Sequence, residues 1–167
     1  MPLEFDITLT QKDMFRFNLV QTYSGMQGWS SVVISVIAFV LAGITYGEIE
    51  PIYTILYIGF GILLLVYIPV SLYLRSKHSF AVSAVLREPL HYSVTKEGIR
   101  VTQKEENAIL PWEQVYKIKA TGNLVLIYSS RIHAYVIPRQ QLGEAYQDLA
   151  ESAVKNLPKY RVAMKVK

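Results

Sequence analysis

The sequence predicts an α+β membrane protein: a two-helix transmembrane hairpin joined to a cytoplasmic antiparallel β domain that a C-terminal helix closes. Two long stretches, residues 17–47 and 51–74, contain no charged side chain. Short segments with strand-like alternation follow the second stretch, and turn residues separate them. A segment with helical spacing comes last. These three observations define the fold class.

The two uncharged stretches are long enough to cross a bilayer, because about 20 apolar helical residues span the hydrocarbon core. We expect the spans at residues 24–46 and 52–74. Gly47 suits a helix end and Pro51 suits a helix start, so the connection is short and the helices are antiparallel neighbours. A soluble helical core is the alternative, and it would leave little chain to cover two such helices.

Charged residues beside the spans predict their orientation. Lys12 and Arg16 precede the first span, and Arg75 and Lys77 follow the second, whereas the connection carries only acidic charges. Lys and Arg are enriched in cytoplasmic loops. We therefore expect a multi-pass protein with both termini in the cytoplasm.

The segment before the first span has its own pattern. Residues 3–9 alternate apolar and polar side chains, which indicates a half-buried strand. Thr10 and Asp13 have the spacing of a capping box at a helix start. A lone strand is not stable in water. Residues 3–9 must therefore pair with strands after the second span, which makes the hairpin an insertion within the cytoplasmic fold.

The segments after the second span predict a helix, a set of strands and a terminal helix. Residues 75–87 are expected to continue the membrane helix. Strands are predicted at residues 91–95, 99–103, 108–112, 115–120, 124–129 and 132–137. Apolar residues then recur at helical spacing from Pro138 to Leu157. This order is similar to the pleckstrin-homology-like (PH-like) architecture, an analogy of fold that implies no ligand.

The chain is thus expected to have four parts: a strand and juxtamembrane helix (1–23), the transmembrane hairpin (24–74), the PH-like β domain with its helix (75–158) and a basic tail (159–167).

Three short motifs follow the hairpin in a fixed order: Tyr92-x-Val-Thr-x-x-Gly98-Ile, Trp112-x-x-Val and Tyr135-x-Ile-Pro138-Arg139. Their order resembles the YcxB-like family of bacterial membrane proteins. The resemblance implies a bacterial cytoplasmic membrane location and no established catalytic activity.

The residues that the family pattern selects are expected to be structural. We expect Trp112 and Tyr135 to pack in the core, Pro138 to start the terminal helix and Gly98 to supply a turn with positive φ. The remaining family-pattern residues are Tyr92 and Arg139.

Several classes of chemistry lack support in the sequence. There is no cysteine, which excludes thiolate nucleophiles and Cys-based metal sites. His78, His91 and His133 are far apart, although His91 and His133 could meet across the sheet. No nucleophile elbow, phosphate-binding loop or nucleic-acid recognition motif is present. We predict a protein that is not an enzyme, needs no cofactor or metal and binds no nucleic acid.

Basic residues are concentrated after the hairpin, where Lys and Arg outnumber Asp and Glu 15 to 8. Anionic lipid headgroups of the inner leaflet attract such residues. The candidate contacts with the membrane surface are Arg75, Lys77, Arg87, Lys159, Arg161, Lys165 and Lys167. The alternative is the ordinary positive charge of cytoplasmic segments together with a solvated tail.

The leading hypothesis is a non-enzymatic regulatory protein whose cytoplasmic domain meets a protein partner or a lipid. One alternative is an immunity protein that protects its producer from a bacteriocin or a secreted toxin. Another is an accessory subunit of a membrane transporter.

Overall fold

The computed structural model describes residues 3–83 and 85–165, apart from the side chains of residues 27 and 85. Its fold class is α+β with antiparallel sheets, as predicted. The chain forms two compact units. Unit 1 comprises Met1–Met14 and Phe80–Lys167, and unit 2 comprises Phe15–Ser79.

Within its described residues, unit 1 contains two four-stranded sheets. The first has the order β1 (Leu3–Ile7), β2 (Leu90–Val94), β3 (Gly98–Gln103) and β4 (Glu106–Pro111). The second contains β5 (Lys117–Ala120), β6 (Leu124–Tyr128), β7 (Ala134–Pro138) and β8 (Val162–Ala163), in the order β7-β6-β5-β8. β5 and β8 are parallel, and the other neighbouring strands are antiparallel.

The pairing of β1 confirms that the first strand belongs with strands after unit 2. Leu3 lies opposite Val94, and Ile7 lies opposite Leu90. The strand ends at Ile7, two residues earlier than predicted. The hairpin segment is therefore an insertion in the fold of unit 1, as the lone-strand argument required.

The predicted capping box is also confirmed. The Thr10 backbone N–H donates to Asp13 Oδ2 at 3.1 Å, and the Asp13 backbone N–H donates to Thr10 Oγ1 at 3.3 Å. These bonds satisfy donors at the start of α1 (Gln11–Ser24), which would otherwise lack partners.

Two further helices, α2 (Met26–Ile44) and α3 (Pro51–Val82), make up most of unit 2. Among the described helices, α3 by itself is long and apolar enough to cross a membrane. α1 and the segment Gly28–Ile44 of α2 meet that criterion only when they are taken together, and they are bent by 71° relative to each other. Gly47 has φ +85°, which fits the predicted turn after the first span. The two-helix transmembrane hairpin remains a prediction.

The core of unit 1 is formed by apolar side chains from both sheets and from α5 (Ala145–Asn156). β6 is buried along its whole length. On α5, Leu149, Ala150 and Ala153 are fully buried. The predicted terminal helix is divided, because Gly143 at φ +50° separates α4 (Arg139–Leu142) from α5. Pro138 ends β7 and precedes α4, so the predicted helix start is confirmed.

Most predicted strands are shifted by one or two residues at an end, and three elements near α3 and Trp112 differ in a way that has a structural cause. α3 ends at Val82, and Arg87 belongs to a separate 3-10 turn, Val85–Arg87. Trp112 leaves the strand to begin the 3-10 turn Trp112–Gln114, which delays β5 until Lys117.

The predicted tail is not merely a solvated extension, because part of it belongs to the second sheet. Lys159–Arg161 form a 3-10 turn, and the following residues form β8 beside β5. The Arg161 Nη1 group donates to the Val115 carbonyl at 3.2 Å. Backbone pairing and this bond hold the segment against unit 1.

Candidate functional site: a basic groove in unit 1

A groove of about 390 Å³ lies at one end of the second sheet, where β5 and β7 end. The β5–β6 turn forms one wall through Thr121 and Gly122. Arg139 at the start of α4 and Tyr146 on α5 form another, and Lys165 after β8 borders the groove. Three segments that are distant in sequence therefore meet at this groove.

Hydrogen bonds fix the turn that lines the groove. The Thr121 backbone N–H donates to the Leu124 carbonyl at 2.7 Å, and Thr121 Oγ1 accepts from the Leu124 N–H at 3.0 Å. The Arg139 backbone N–H donates to the Asn123 carbonyl at 2.9 Å. This bond fixes the Arg139 backbone next to the turn, from which its side chain extends along the groove.

The Arg139 side chain lies over an aromatic ring. Its Cζ is 4.4 Å from the centre of the Tyr146 ring, a distance at which a guanidinium is attracted to the face of the ring. Tyr146 is only 5% exposed, and no described atom forms a hydrogen bond with its hydroxyl group. The stacked ring restrains Arg139, while the N–H groups at the edge of its guanidinium plane can still donate to a ligand.

The groove carries positive charge. Arg139 and Lys165 are both exposed, and no described carboxylate forms an ion pair with either. The described residues that line the groove include no Asp or Glu. Two cations without acidic neighbours in the lining favour a ligand with negative charge.

The α4 side of the groove is bonded to the segment that follows β1. Gln141 Nε2 donates to the Thr8 carbonyl at 2.8 Å, and the Thr8 backbone N–H donates to Gln141 Oε1 at 2.9 Å. Thr8 lies shortly before Met14, where the first segment of unit 1 ends. Within unit 1, α4 is therefore fixed close to the segment through which the chain leaves the unit.

The structure brings together two predicted residues that had been assigned different roles. Arg139 was selected by the family pattern as structural, and Lys165 was selected as a tail cation, yet both line one groove. Arg161 and Lys159 precede β8, whereas the groove lies after it. Lys167 lies outside the described residues.

The remaining predicted contacts are also outside the groove. Arg75 and Lys77 lie exposed on α3 in unit 2, and Arg87 is exposed in unit 1. These side chains do not form a cluster with Arg139 and Lys165 among the groove-lining residues.

Two aromatic residues of the family pattern pack in the core of unit 1. Tyr92 is fully buried, and its ring stacks on Phe5 at 5.4 Å and meets the edge of Tyr135 at 6.5 Å. Burial, with a smaller contribution from Tyr135, raises the pKa of Tyr92 well above its usual value. Trp112 is buried, and its Nε1 donates to the Thr95 carbonyl at 3.0 Å.

Gly98 differs from its prediction. Its φ is not positive; the residue begins β3 opposite Pro111. A Cβ at this position would clash with the Leu110 carbonyl oxygen, a backbone atom that cannot easily move. Glycine is required here because β4 approaches closely, and the predicted positive-φ turn is wrong.

The histidines do not converge. His91 Nδ1 lies 2.6 Å from Asp6 Oδ1 in the first sheet, and His133 Nδ1 lies 3.1 Å from Ser130 Oγ in the turn before β7. His91 lies in the first sheet and His133 precedes a strand of the second, so they do not meet across one sheet. No group of three potential metal ligands occurs in the described parts of the chain.

Sequence reasoning missed Thr121 and Tyr146 as groove residues. Thr121 was interpreted only as part of a turn. Tyr146 lies on the apolar face of the predicted terminal helix, where burial in the core is the usual outcome. Gly143 breaks the helix between Arg139 and Tyr146, which form the cation-π contact. This glycine was the available sign of the break in the sequence.

Residues 94–151 match the sequence model of the family described as YcxB-like protein, which confirms the predicted family resemblance over this part of the chain. The match extends from the end of β2 through most of α5. It includes Arg139 and Tyr146, whereas Lys165 lies beyond it. No curated protein matches the chain.

Proposed function

We propose that the chain is a non-enzymatic protein of the bacterial cytoplasmic membrane that presents unit 1 in the cytoplasm for interaction with a lipid or a protein partner. The observation that carries this proposal is the surface of unit 2, where large apolar side chains face outward.

Apolar side chains are exposed along both long helices of unit 2. On α3, Ile55 is 63% exposed, Leu56 58% and Leu63 59%; on α2, Val33 is 53% exposed. Water-soluble monomers rarely carry contiguous apolar surface on this scale. Lipid removes the cost of such exposure, so the surface supports membrane insertion.

Small residues occupy the buried positions between the helices. Ser35, Ala38 and Ala42 on α2 are buried and recur at spacings of three and four, which places them on one helix face. A Cβ at Gly61 of α3 would lie 2.8 Å from the Phe39 ring of α2. Gly61 thus leaves room for the Phe39 ring, and small residues at helix contacts are typical of transmembrane helix pairs, which supports a two-helix hairpin.

Two buried hydroxyl groups in unit 2, those of Ser35 and Ser76, have partners within their own helices. Ser35 Oγ donates to the Ser31 carbonyl at 2.8 Å, and Ser76 Oγ donates to the Leu72 carbonyl at 2.7 Å. Polar groups must find such partners in lipid, because no water is available there. This arrangement is compatible with spans formed by α2 and α3.

The proposed topology has both termini in the cytoplasm and the connection between α2 and α3 outside. It rests on the basic residues that precede the first span and follow the second, and on the two acids, Glu48 and Glu50, in the connection. For unit 1 we propose a PH-like fold, supported by its two mainly antiparallel sheets and the packing of α5 on the core.

The absence of cysteine from the sequence allows a direct test of topology. Glu48→Cys would place one thiol in the connection, and Lys96→Cys would place one in the exposed β2–β3 turn of unit 1. A membrane-impermeant maleimide should label the first variant in intact bacteria and the second only after lysis.

Labelling of Lys96→Cys in intact cells would contradict the proposed orientation and indicate the opposite one. Recovery of the unlabelled protein in the supernatant after alkaline carbonate extraction would contradict membrane insertion itself. The cysteine-free chain serves as the labelling control.

A further inference from the structure

We infer that the groove in unit 1 binds a phosphate group, and that its source is the headgroup of an anionic phospholipid. The inference rests on the proposed membrane anchoring and adds a ligand class and a site to it.

The donors around the groove suit a phosphate oxyanion. Arg139 presents a planar set of N–H groups that can bind two oxygens at once, and Lys165 adds a second positive charge. The groove lining contains no described carboxylate to compete for these cations.

Tyr146 is the aromatic partner of Arg139 in the groove. Its side chain borders the groove and is more than nine-tenths buried, yet its hydroxyl group has no hydrogen-bond partner among the described residues. The hydroxyl oxygen is itself inaccessible, so Tyr146 contributes to the site through its ring, which holds the Arg139 guanidinium at the groove.

The size of the groove favours a headgroup over a single ion. Its volume of about 390 Å³ falls within the range of small-molecule sites, about 300–1,000 Å³. A phosphodiester with its glycerol substituent is of a size that suits this volume.

The position of the groove in unit 1 favours a lipid over a soluble phosphate compound. The two hydrogen bonds between Gln141 and Thr8 attach the α4 side of the groove to the segment that leads into α1. If α1 leads into the membrane, as proposed, this is the part of unit 1 that the chain itself keeps near phospholipid headgroups.

The other tail cations are less suited to the same role. Arg161 donates to the Val115 carbonyl, and its Cζ lies 5.8 Å from the centre of the Tyr160 ring, so its side chain is engaged within unit 1. Lys159 is exposed at the opposite end of β8 from the groove. The lipid contact predicted for the whole tail is thereby assigned to Lys165 together with Arg139.

The test is native mass spectrometry of the full chain released from mild detergent, with phosphatidylglycerol or phosphatidylcholine added at increasing concentration. The wild-type chain should retain phosphatidylglycerol preferentially. Lys165→Ala and Arg139→Gln should each weaken that retention about fivefold or more, as expected for loss of one cation near an anionic headgroup. Lys96→Ala removes an exposed lysine elsewhere in unit 1 and should leave retention unchanged.

Two further measurements separate the explanations. Arg139→Gln also loses the stacking on Tyr146, so thermal unfolding is recorded for each variant; Lys165→Ala, an exposed change, should unfold as the wild type does. Glycerol phosphate is then added as a soluble competitor, and millimolar displacement of phosphatidylglycerol is expected.

Equal retention by wild type and Lys165→Ala would overturn the site. Binding of glycerol phosphate without any preference for phosphatidylglycerol would overturn the lipid assignment. Neither result affects carbonate extraction or cysteine labelling, so the membrane proposal stands or fails separately.

Discussion

Unit 1 and unit 2 distribute similar apolar residues in opposite ways. In unit 1, β6 buries all five of its side chains, among them Leu124 and Leu126. In unit 2, α3 exposes most of its apolar side chains, while Thr54, Gly61 and Ser76 are its buried residues. One unit has an apolar interior, and the other has small or polar residues inside and an apolar surface.

This contrast is the basis of the proposal that the two units lie in different solvents. Burying apolar surface stabilises unit 1 in water by about 25 cal/mol per Å². Unit 2 leaves that surface unburied and has small or polar residues at its buried positions. In the proposed topology the two units therefore face different environments, and a leucine has a different role in each.

The largest expected effects come from placing the same charge in each unit. Leu126→Asp puts an unpaired carboxylate in the core of unit 1 and should destabilise it by more than about 4 kcal/mol, enough to prevent folding. Leu63→Asp faces lipid in the proposed topology and should disfavour insertion by about 3 kcal/mol. Protease resistance reports the first effect, and the membrane-bound fraction reports the second.

Leu63→Ile is the matched control and should insert normally. On a water-exposed helix surface Leu63→Asp would be harmless. An unchanged membrane-bound fraction for that variant would therefore remove the distinction between the units.

A second test concerns close backbone contact in unit 1. Gly98→Ala would push a methyl group against the Leu110 carbonyl and should cost about 3 kcal/mol. Gly122→Ala meets no atom within 4 Å and should cost about 0.5 kcal/mol or less. Urea unfolding followed by Trp112 fluorescence, in a Trp29→Phe background, measures both changes; equal costs would refute the close-approach explanation.

A smaller effect is expected at the junction between β1 and α1. Asp13→Ala removes the acceptor for the Thr10 backbone N–H and should lower the free energy of unfolding by about 1 kcal/mol. Gln11→Ala in the same turn leaves the capping box intact and provides the control. The same unfolding assay applies, and a neutral Asp13→Ala would mean that the box contributes nothing to stability.

The smallest effect concerns Tyr92. Its hydroxyl group is buried without a described partner, so Tyr92→Phe should change stability at pH 7 by about 1 kcal/mol or less, in the stabilising direction. Because burial raises the pKa of the folded-state Tyr92, stability is present below the unfolded value of about 10 and is lost as the pH rises above it.

The Tyr92→Phe variant should lose less stability than the wild type between about pH 9 and about pH 11, the range around the usual tyrosine pKa. Tyr128, whose pKa burial also raises, would account for part of the remaining dependence. Tyr160→Phe, at an exposed position, should follow the wild-type curve. A Tyr92→Phe curve that coincides with the wild type would contradict the role assigned to burial.

Local sequence patterns predicted several features of the fold correctly. The alternation in residues 3–9 required a distant partner strand, and β2 provides it. Thr10 and Asp13 form the predicted capping box. Pro51 is the first residue of α3, and Pro138 directly precedes α4. Each of these features depends on neighbours in sequence or on the simple requirement that a strand be paired.

Features that depend on distant contacts were not predictable. The reason for Gly98 lies in the Leu110 carbonyl on another strand. β8 has two residues, too few for a periodic signal, and its pairing with β5 is what carries Lys165 to the groove. The joining of Arg139 and Lys165 therefore becomes visible only in three dimensions.

The central claim is that the outer surface of unit 2 lies in lipid while unit 1 lies in water. It is tested most directly by a spin label on a single cysteine, Leu63→Cys or Lys96→Cys, in the reconstituted full chain. The label at position 63 should collide more with oxygen than with a water-soluble nickel chelate, and the label at position 96 should show the reverse. Greater collision with the nickel chelate at position 63 would contradict the account.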